Sequence, residues 1–259
     1  MRAFGLTPAV IMILALAACA PAPHRLVDLT HAFDEQTIYW PHNKSFQREQ
    51  TNWGMTDAGY WYAAGNFSAA EHGGTHLDAP IHFGRDRRSL DQIPVEHLTG
   101  PAVVIDVRAQ CEANADYELA VEDVLAWESQ HGRIPQGAIV FMLSGWSRRW
   151  PDARRYLGSE TPDDARTLHF PGFSSRAAEF LVRQRTIHGI GIDTASIDPG
   201  RSADFPVHRL VNGADLYGLE NVAALEQLPA AGATVYALPI KIKGGTGGPV
   251  RIIAVLPGP

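Results

Sequence analysis

Residues 71–83 read EHGGTHLDAPIHF, and this stretch decides how the rest of the chain is read. It packs three histidines, one aspartate, two glycines and a proline into thirteen positions. His72, His76, Asp78 and His82 share even parity, so a straight strand would place them on one face. The same strand would hold His72 and His82 ~33 Å apart at ~3.3 Å per residue, too far to share an ion. Gly73, Gly74 and Pro80 supply the bends that gather them, and they also argue against a helix pairing His72 with His76. Neutral imidazoles with a carboxylate form a donor set for zinc, manganese or iron, and two His with one Asp leave a position open for water. The residues alone therefore point to a metal-dependent hydrolase, against the plainer alternative of a His-rich surface loop.

The surrounding chain is ordinary in composition. Its 259 residues are 45% hydrophobic and 19% charged, which excludes global disorder and coiled coil. The balance of 22 Lys and Arg against 28 Asp and Glu gives a net charge of −6, and no basic run stands out. A nucleic-acid partner is therefore not expected. The 24 glycines and 18 prolines indicate many turns. At ~150 residues per domain the length allows one large domain or two small ones, and no composition shift after residue 26 marks a boundary.

The first residues are read separately. Arg2 precedes ten apolar residues at 9–18, too short to span a bilayer at ~20 residues, so residues 1–18 read as a signal peptide. Leu16-Ala17-Ala18-Cys19 resembles a bacterial lipobox. Cys19 would then be lipidated and residues 19–25 would form a tether to a domain over 26–259. Ala20 after the cysteine points toward the outer membrane. The expected location is the cell envelope, lipid-anchored on the periplasmic side or periplasmic, with no membrane contact beyond the anchor. Cys111 is then left without a partner, reads as a loop residue, and no disulfide framework is expected.

Short apolar runs at 26–30, 101–107, 138–143, 187–193, 234–242 and 250–256 read as strands, the last two joined by a glycine-rich hairpin turn at 244–248. Helical spacing marks 121–130, a helix from Ser174 or Ser175 to about residue 185, and 207–212. Residues 146–173 read as a long loop. Interleaved strands and helices give an α/β class.

HGGTHLDAPIHF matches the H-x-G-T-H-x-D-x-P-x-H-F signature of the cyclase family of metal-dependent hydrolases, which includes bacterial kynurenine formamidases and isatin hydrolases. Tyr39-Trp40-Pro41 resembles the family's T-x-W-P substrate loop, and GIDTASID at 191–198 resembles its G-[IV]-D-T-x-S-[IL]-D segment. His208 and Glu220, twelve residues apart, resemble its second His…Glu pair. LPIKIKGGTGGPVRIIAVL at 238–256 resembles its closing strands, so the likeness runs over about residues 24–257.

The resemblance implies a single compact α/β domain with a mixed sheet or partly closed β-barrel flanked by helices, assembled as a homodimer or higher oligomer. It implies one or two zinc or manganese ions per chain. His72 and His76 would bind the first ion, Asp78 would bridge two, His208 would bind the second and Glu220 would touch both. His82 would move the proton, with a fourth-ligand role as the alternative, and an ordinary imidazole pKa of ~6.5 suits that task near neutrality. Trp40 would line the pocket, unless it is a plain core aromatic. The implied reaction is hydrolysis of a C–N amide bond in a small aromatic amide, either an aryl formamide such as N-formylkynurenine or a cyclic amide such as isatin, by a metal-activated water. A polyketide-cyclase-like or lactone-opening enzyme on the same site is the alternative, and a non-enzymatic envelope protein is a third. The 146–173 segment and the Gly-Thr-Gly-Gly-Pro run lean toward the isatin-hydrolase branch or an unassigned one. Asp193 and Asp198 look like metal ligands on composition but are expected to cap turns, and His188 to be a satisfied core histidine.

Overall fold

The computed structural model describes residues 25–258, so the readings of the signal peptide and of Cys19 lie outside the described residues. Among the described residues the strands are β1 (Leu26–Asp28), β2 (Gln47–Met55), β3 (Trp61–Ser68), β4 (His76–Asp78), β5 (Thr99–Asp106), β6 (Glu118–Leu119), β7 (Ala138–Leu143), β8 (Gly172–Phe173), β9 (Ile187–Ile192), β10 (Tyr217–Glu220), β11 (Thr234–Pro239) and β12 (Gly247–Val255). The helices are α1 (Arg108–Ala113), α2 (Val121–His131), α3 (Ala153–Leu157), α4 (Ser175–Gln184) and α5 (Pro206–Gly213). None of the described helices is long and apolar enough to cross a membrane.

Neighbouring strands run in the order β12-β11-β5-β7-β9-β10-β4, and β4 pairs back onto β12. This closes a seven-stranded barrel, so the expected mixed sheet or partly closed barrel is a full ring; β1 extends it by pairing with the far half of β12. The β5-β7-β9-β10 arc is parallel and the remaining pairings are antiparallel. Alternation along each strand assigns the faces. Leu77, Val104, Ile139, Phe141, Leu219 and Ile252 fill the barrel. Val103, Ile105, Val140, Met142, Ile190 and Ile192 face outward under α2, α4 and α5. The parallel strands are thus buried on both sides, which is why they read as unbroken apolar runs. The positions of β9 between its outward isoleucines are glycines: a Cβ on Gly191 would lie 2.6 Å from the Phe141 ring, and one on Gly189 2.6 Å from Tyr217.

Three readings are corrected or completed, and one hairpin is added to them. Residues 146–173 are not a bare loop. They hold a 3-10 turn (Trp146–Arg149), α3, a second 3-10 turn (Ala165–Thr167) and β8, packed as a separate cluster of Trp146, Tyr156, Leu157, Leu168 and Phe170. The Trp146 indole donates to the Tyr156 carbonyl at 2.6 Å, and the Tyr156 hydroxyl donates to the Asp193 carbonyl at 3.0 Å. Cys111 sits on α1 rather than in a loop, and burial pushes its thiol up to about 12, as befits an inert core cysteine. His188 is half-buried, with Nδ1 at 3.1 Å from the Thr99 carbonyl and its ring stacked on His97 at 4.5 Å. The β2–β3 hairpin was not anticipated. Strand parity puts its exposed Trp53, Met55, Trp61 and Phe67 on one face, and Asn52 and Asn66 on the other.

The 146–173 segment also makes a pH-dependent contribution. His31 stacks on Trp150 with ring centroids 4.3 Å apart, and burial pushes its imidazole down to about 4. Between ~6.5 and about 4 the unfolded chain therefore binds a proton that the folded chain does not, so stability falls as pH drops through that window. Melting curves at about pH 7 and about pH 5 should show a smaller loss for His31→Phe than for the wild type. Equal losses in the two proteins would contradict this role.

Candidate active site

Strand β4 presents His76 and Asp78 on the outer face of the barrel, because Leu77 between them points into the core. Antiparallel pairing then sets Glu220 of β10 opposite His76, and Gly218 opposite Asp78. On its other side β4 meets β12, where Gly247 is the residue opposite Asp78. His208 arrives from the first turn of α5. The bend at Gly73 and Gly74 delivers His72, and a 3-10 turn over Pro80–His82 swings His82 back over the same spot. The structure thus gathers all six residues of the expected constellation, with His76, Asp78, His208 and Glu220 buried and His72 and His82 half-buried.

Hydrogen bonds fix which nitrogens face inward. His76 Nδ1 donates to the Gly74 carbonyl at 2.9 Å, leaving Nε2 at 3.2 Å from Asp78 Oδ1 and 3.4 Å from Glu220 Oε2. That Nε2 is buried without a hydrogen-bond partner among the described residues. His208 Nδ1 donates to Asp198 Oδ2 at 2.6 Å, leaving Nε2 at 3.1 Å from both Asp78 Oδ2 and Glu220 Oε1. Each carboxylate therefore offers one oxygen to each imidazole. His72 Nδ1 lies 2.6 Å from Asp78 Oδ1.

Two buried carboxylates facing imidazole lone pairs need positive charge between them. Without a cation that charge can come only from protons. Burial disfavours the charged form of His76, but Asp78 and then Glu220 outweigh it and push the imidazole up to about 9. Burial likewise opposes charge on His208, yet its bonds to Asp198, Asp78 and Glu220 raise it well above the ordinary value. Burial alone would raise the Asp78 carboxyl, while His72 and His76 hold it well below the usual range. The donor set fits divalent cations, which supply the missing charge and leave the histidines neutral. Ligand atoms of His76, Asp78 and Glu220 lie within 4.8 Å of one another, as do those of His72, Asp78 and His82.

His82 stacks on His72 at 3.8 Å and 19°. Burial and the neighbouring imidazoles outweigh Asp78 and push it down to about 4, not to the ~6.5 anticipated, so the His82 imidazole is neutral near neutral pH.

These groups floor a cavity of about 330 Å³ whose walls include Ile38, Trp40, Phe83 and Phe205. Trp40 meets Phe205 edge-on at 5.7 Å and Phe170 at 6.5 Å, so the 146–173 segment buttresses the pocket wall. Phe205 holds a left-handed backbone (φ 50°) just before Pro206, a strained geometry of the sort that gathers at ligand sites. Sequence reasoning gave no role to Phe83, although it closes the quoted H-F signature, nor to Phe205, whose one signal was its place before the Pro206 helix start. Asp198 does cap: its Oδ1 accepts the Val207 N–H at 3.0 Å, but Oδ2 also orients His208. Asp193 lies away from the cavity lining, accepting from Ser144 N at 3.0 Å and Trp146 N at 2.9 Å.

The model of the cyclase family, described as "Putative cyclase", matches residues 27–199. The chain belongs to this family. Among cyclase-family relatives, the isatin hydrolase of Roseibium aggregatum is 35% identical over 195 residues, 72% of each chain. The kynurenine formamidase of Salinibacter ruber is 28% identical over 230 residues, covering 88% of this chain and 96% of the relative. The solved structure of isatin hydrolase A from Ralstonia solanacearum superposes with a TM-score of 0.83 at 38% identity, over 90% of this chain and 92% of that one. Both the fold and the hydrolase character of this cyclase-family member follow from these likenesses.

Proposed function

We propose that the chain is a divalent-metal amidohydrolase that opens the C–N bond of a small cyclic aryl amide of the isatin type, with aryl formamides as the second substrate class. One observation carries the reading: imidazole nitrogens and both oxygens of Asp78 and Glu220 converge, with His76 Nε2 unpartnered, on the floor of an aromatic-walled cavity. His72, His76 and Asp78 would hold one cation, and His208, Asp78 and Glu220 a second. Zinc or manganese bound there supplies Lewis acidity toward a carbonyl oxygen and lowers the pKa of water. Trp40, Phe83 and Phe205 orient the aryl ring. His82, neutral at rest, takes the proton from the attacking water and delivers it to the leaving nitrogen, which is too basic to depart as an anion. The higher identity to isatin hydrolase favours the cyclic amide.

A panel of isatin, formyl-arylamines and aryl lactones, assayed with zinc and with manganese, tests the reading. Isatin should be turned over fastest. Lactones turned over faster than any amide would favour the lactone-opening alternative, and no turnover of any member with metal bound would sink the enzymatic reading.

Location and assembly are part of the same proposal. The lipobox at Leu16-Ala17-Ala18-Cys19 supports a lipid anchor. Cys19→Ala should release the protein from the membrane fraction, and a wild type that carries no lipid would contradict it. The apolar face of the β2–β3 hairpin supports a homodimer or higher oligomer, to be checked by sedimentation of the wild type against Trp61→Ser. Equal sedimentation of the two would remove that support.

A further inference from the structure

The glycine-rich run at 244–248 does more than turn the chain. It lies against His72, and its hydrogen bonds dictate which nitrogen of that ring faces Asp78. Thr246 N donates to Glu71 Oε2 at 3.0 Å, and the Thr246 hydroxyl donates to the same oxygen in a short bond. A hydroxyl has one proton, so with that proton committed to Glu71 its oxygen can only accept from the third partner. That partner is His72 Nε2, at 2.9 Å. Nε2 therefore carries the ring proton, and Nδ1 is the lone-pair nitrogen turned to Asp78 Oδ1 at 2.6 Å.

His72 is opposite in this respect to the other two histidines. His76 and His208 donate through Nδ1 and leave Nε2 free. A flip of the His72 ring would turn Cε1 toward Thr246 and Cδ2 toward Asp78, losing both contacts. Gly247 makes the placement possible, since a Cβ there would fall 2.5 Å from His72 Cε1 and 3.0 Å from Nδ1. His82, stacked on the ring at 3.8 Å, confines it from another side.

We infer that Glu71 and Thr246 are positioning residues that lock His72 to present Nδ1, rather than Nε2, to the cation site. This rests on the metal reading above and extends it to a pair of residues outside the donor set. Groups that hold the second nitrogen of a ligating histidine fix its tautomer and orientation, and losing them typically costs ~10–100-fold in metal affinity.

The test has two arms. In the first, metal-free wild type, Thr246→Val and Thr246→Ser are titrated with zinc, with circular dichroism as the check on folding. Thr246→Val should bind ~10–100-fold more weakly, and Thr246→Ser, which keeps the hydroxyl, should recover most of that loss. In the second, a long-range proton–nitrogen spectrum of zinc-loaded wild type labelled at histidine should show His72 protonated on Nε2, with His76 and His208 protonated on Nδ1. Undiminished zinc affinity in a folded Thr246→Val overturns the inference, and so does a His72 protonated on Nδ1. If Thr246→Val does not fold, the wild-type spectrum decides alone. A wild type that binds no zinc overturns the metal reading itself, and this inference with it.

Discussion

Asp78→Ala is expected to reduce bound divalent cation below one ion per chain and to abolish turnover. Asp78 is the residue that all three histidine donors face: Oδ1 lies beside His72 and His76, and Oδ2 beside His208. Its removal leaves Glu220 as the lone carboxylate against three imidazoles, and neither cation position retains its donor set. The variant should still fold, because the cross-strand neighbours of Asp78 are Gly218 and Gly247, whose backbone pairing with β4 does not use its side chain. Asp193→Ala should do the reverse. It removes the acceptor of the Ser144 amide and hydroxyl and leaves the Trp146 amide only its 3.2 Å bond to Ser144 Oγ, at about 1–3 kcal/mol for each unpaired group, so stability should fall by about 3 kcal/mol while the metal stays. Metal analysis and denaturant melts of both variants check this pair. Loss of metal from Asp193→Ala together with retention in Asp78→Ala would reverse the assignment.

His82→Ala should keep its metal and its fold and lose ~10²–10⁴-fold in amide turnover. The ring sits on a 3-10 turn at the cavity floor, stacked on His72 but not held by a hydrogen bond to either carboxylate. Its low proton affinity, set mainly by burial, suits the proposed order in which it accepts a proton and then donates it. Amide nitrogen needs that donated proton, whereas an activated aryl ester leaves as a stable anion. The variant should therefore lose much less on esters than on amides. Release of metal from His82→Ala would make His82 a ligand and require another acid. Full amide turnover with metal retained would defeat the proton-transfer role.

Much of the site was legible because its residues sit close in sequence. Bends at glycine and proline could be read as gathering His72, His76, Asp78 and His82, and the structure gathers them. What the pattern could not convey is that β4 and β10 are only three and four residues long. Such strands are too short to show a period: β4 depends on pairing with β10 and β12, and β10 on pairing with β4 and β9. The parallel strands β5, β7 and β9 were legible because burial on both faces makes them continuously apolar. The β2–β3 hairpin was not, since its polar and aromatic residues resemble an irregular segment until cross-strand pairing sorts them onto two faces. The 146–173 segment escaped for a related reason: Trp146, Tyr156, Leu168 and Phe170 follow no helical or strand period, and they cluster only because Asp193 and the Tyr156 hydroxyl tie the segment to the end of β9. Asp198 illustrates a reading that was incomplete rather than mistaken, as one oxygen caps α5 and the other orients His208.

Asp78 and Glu220 are proposed to bridge the imidazoles around divalent cations. Anomalous X-ray diffraction from crystals grown with zinc or with manganese, recorded on either side of the metal's absorption edge, tests it most directly. The account predicts an anomalous peak enclosed by His72, His76 and Asp78, a second by His208, Asp78 and Glu220 when both positions fill, and His82 outside the ligand sphere. A fully metal-loaded protein with no peak among these residues, or with its metal held elsewhere on the chain, would contradict the account.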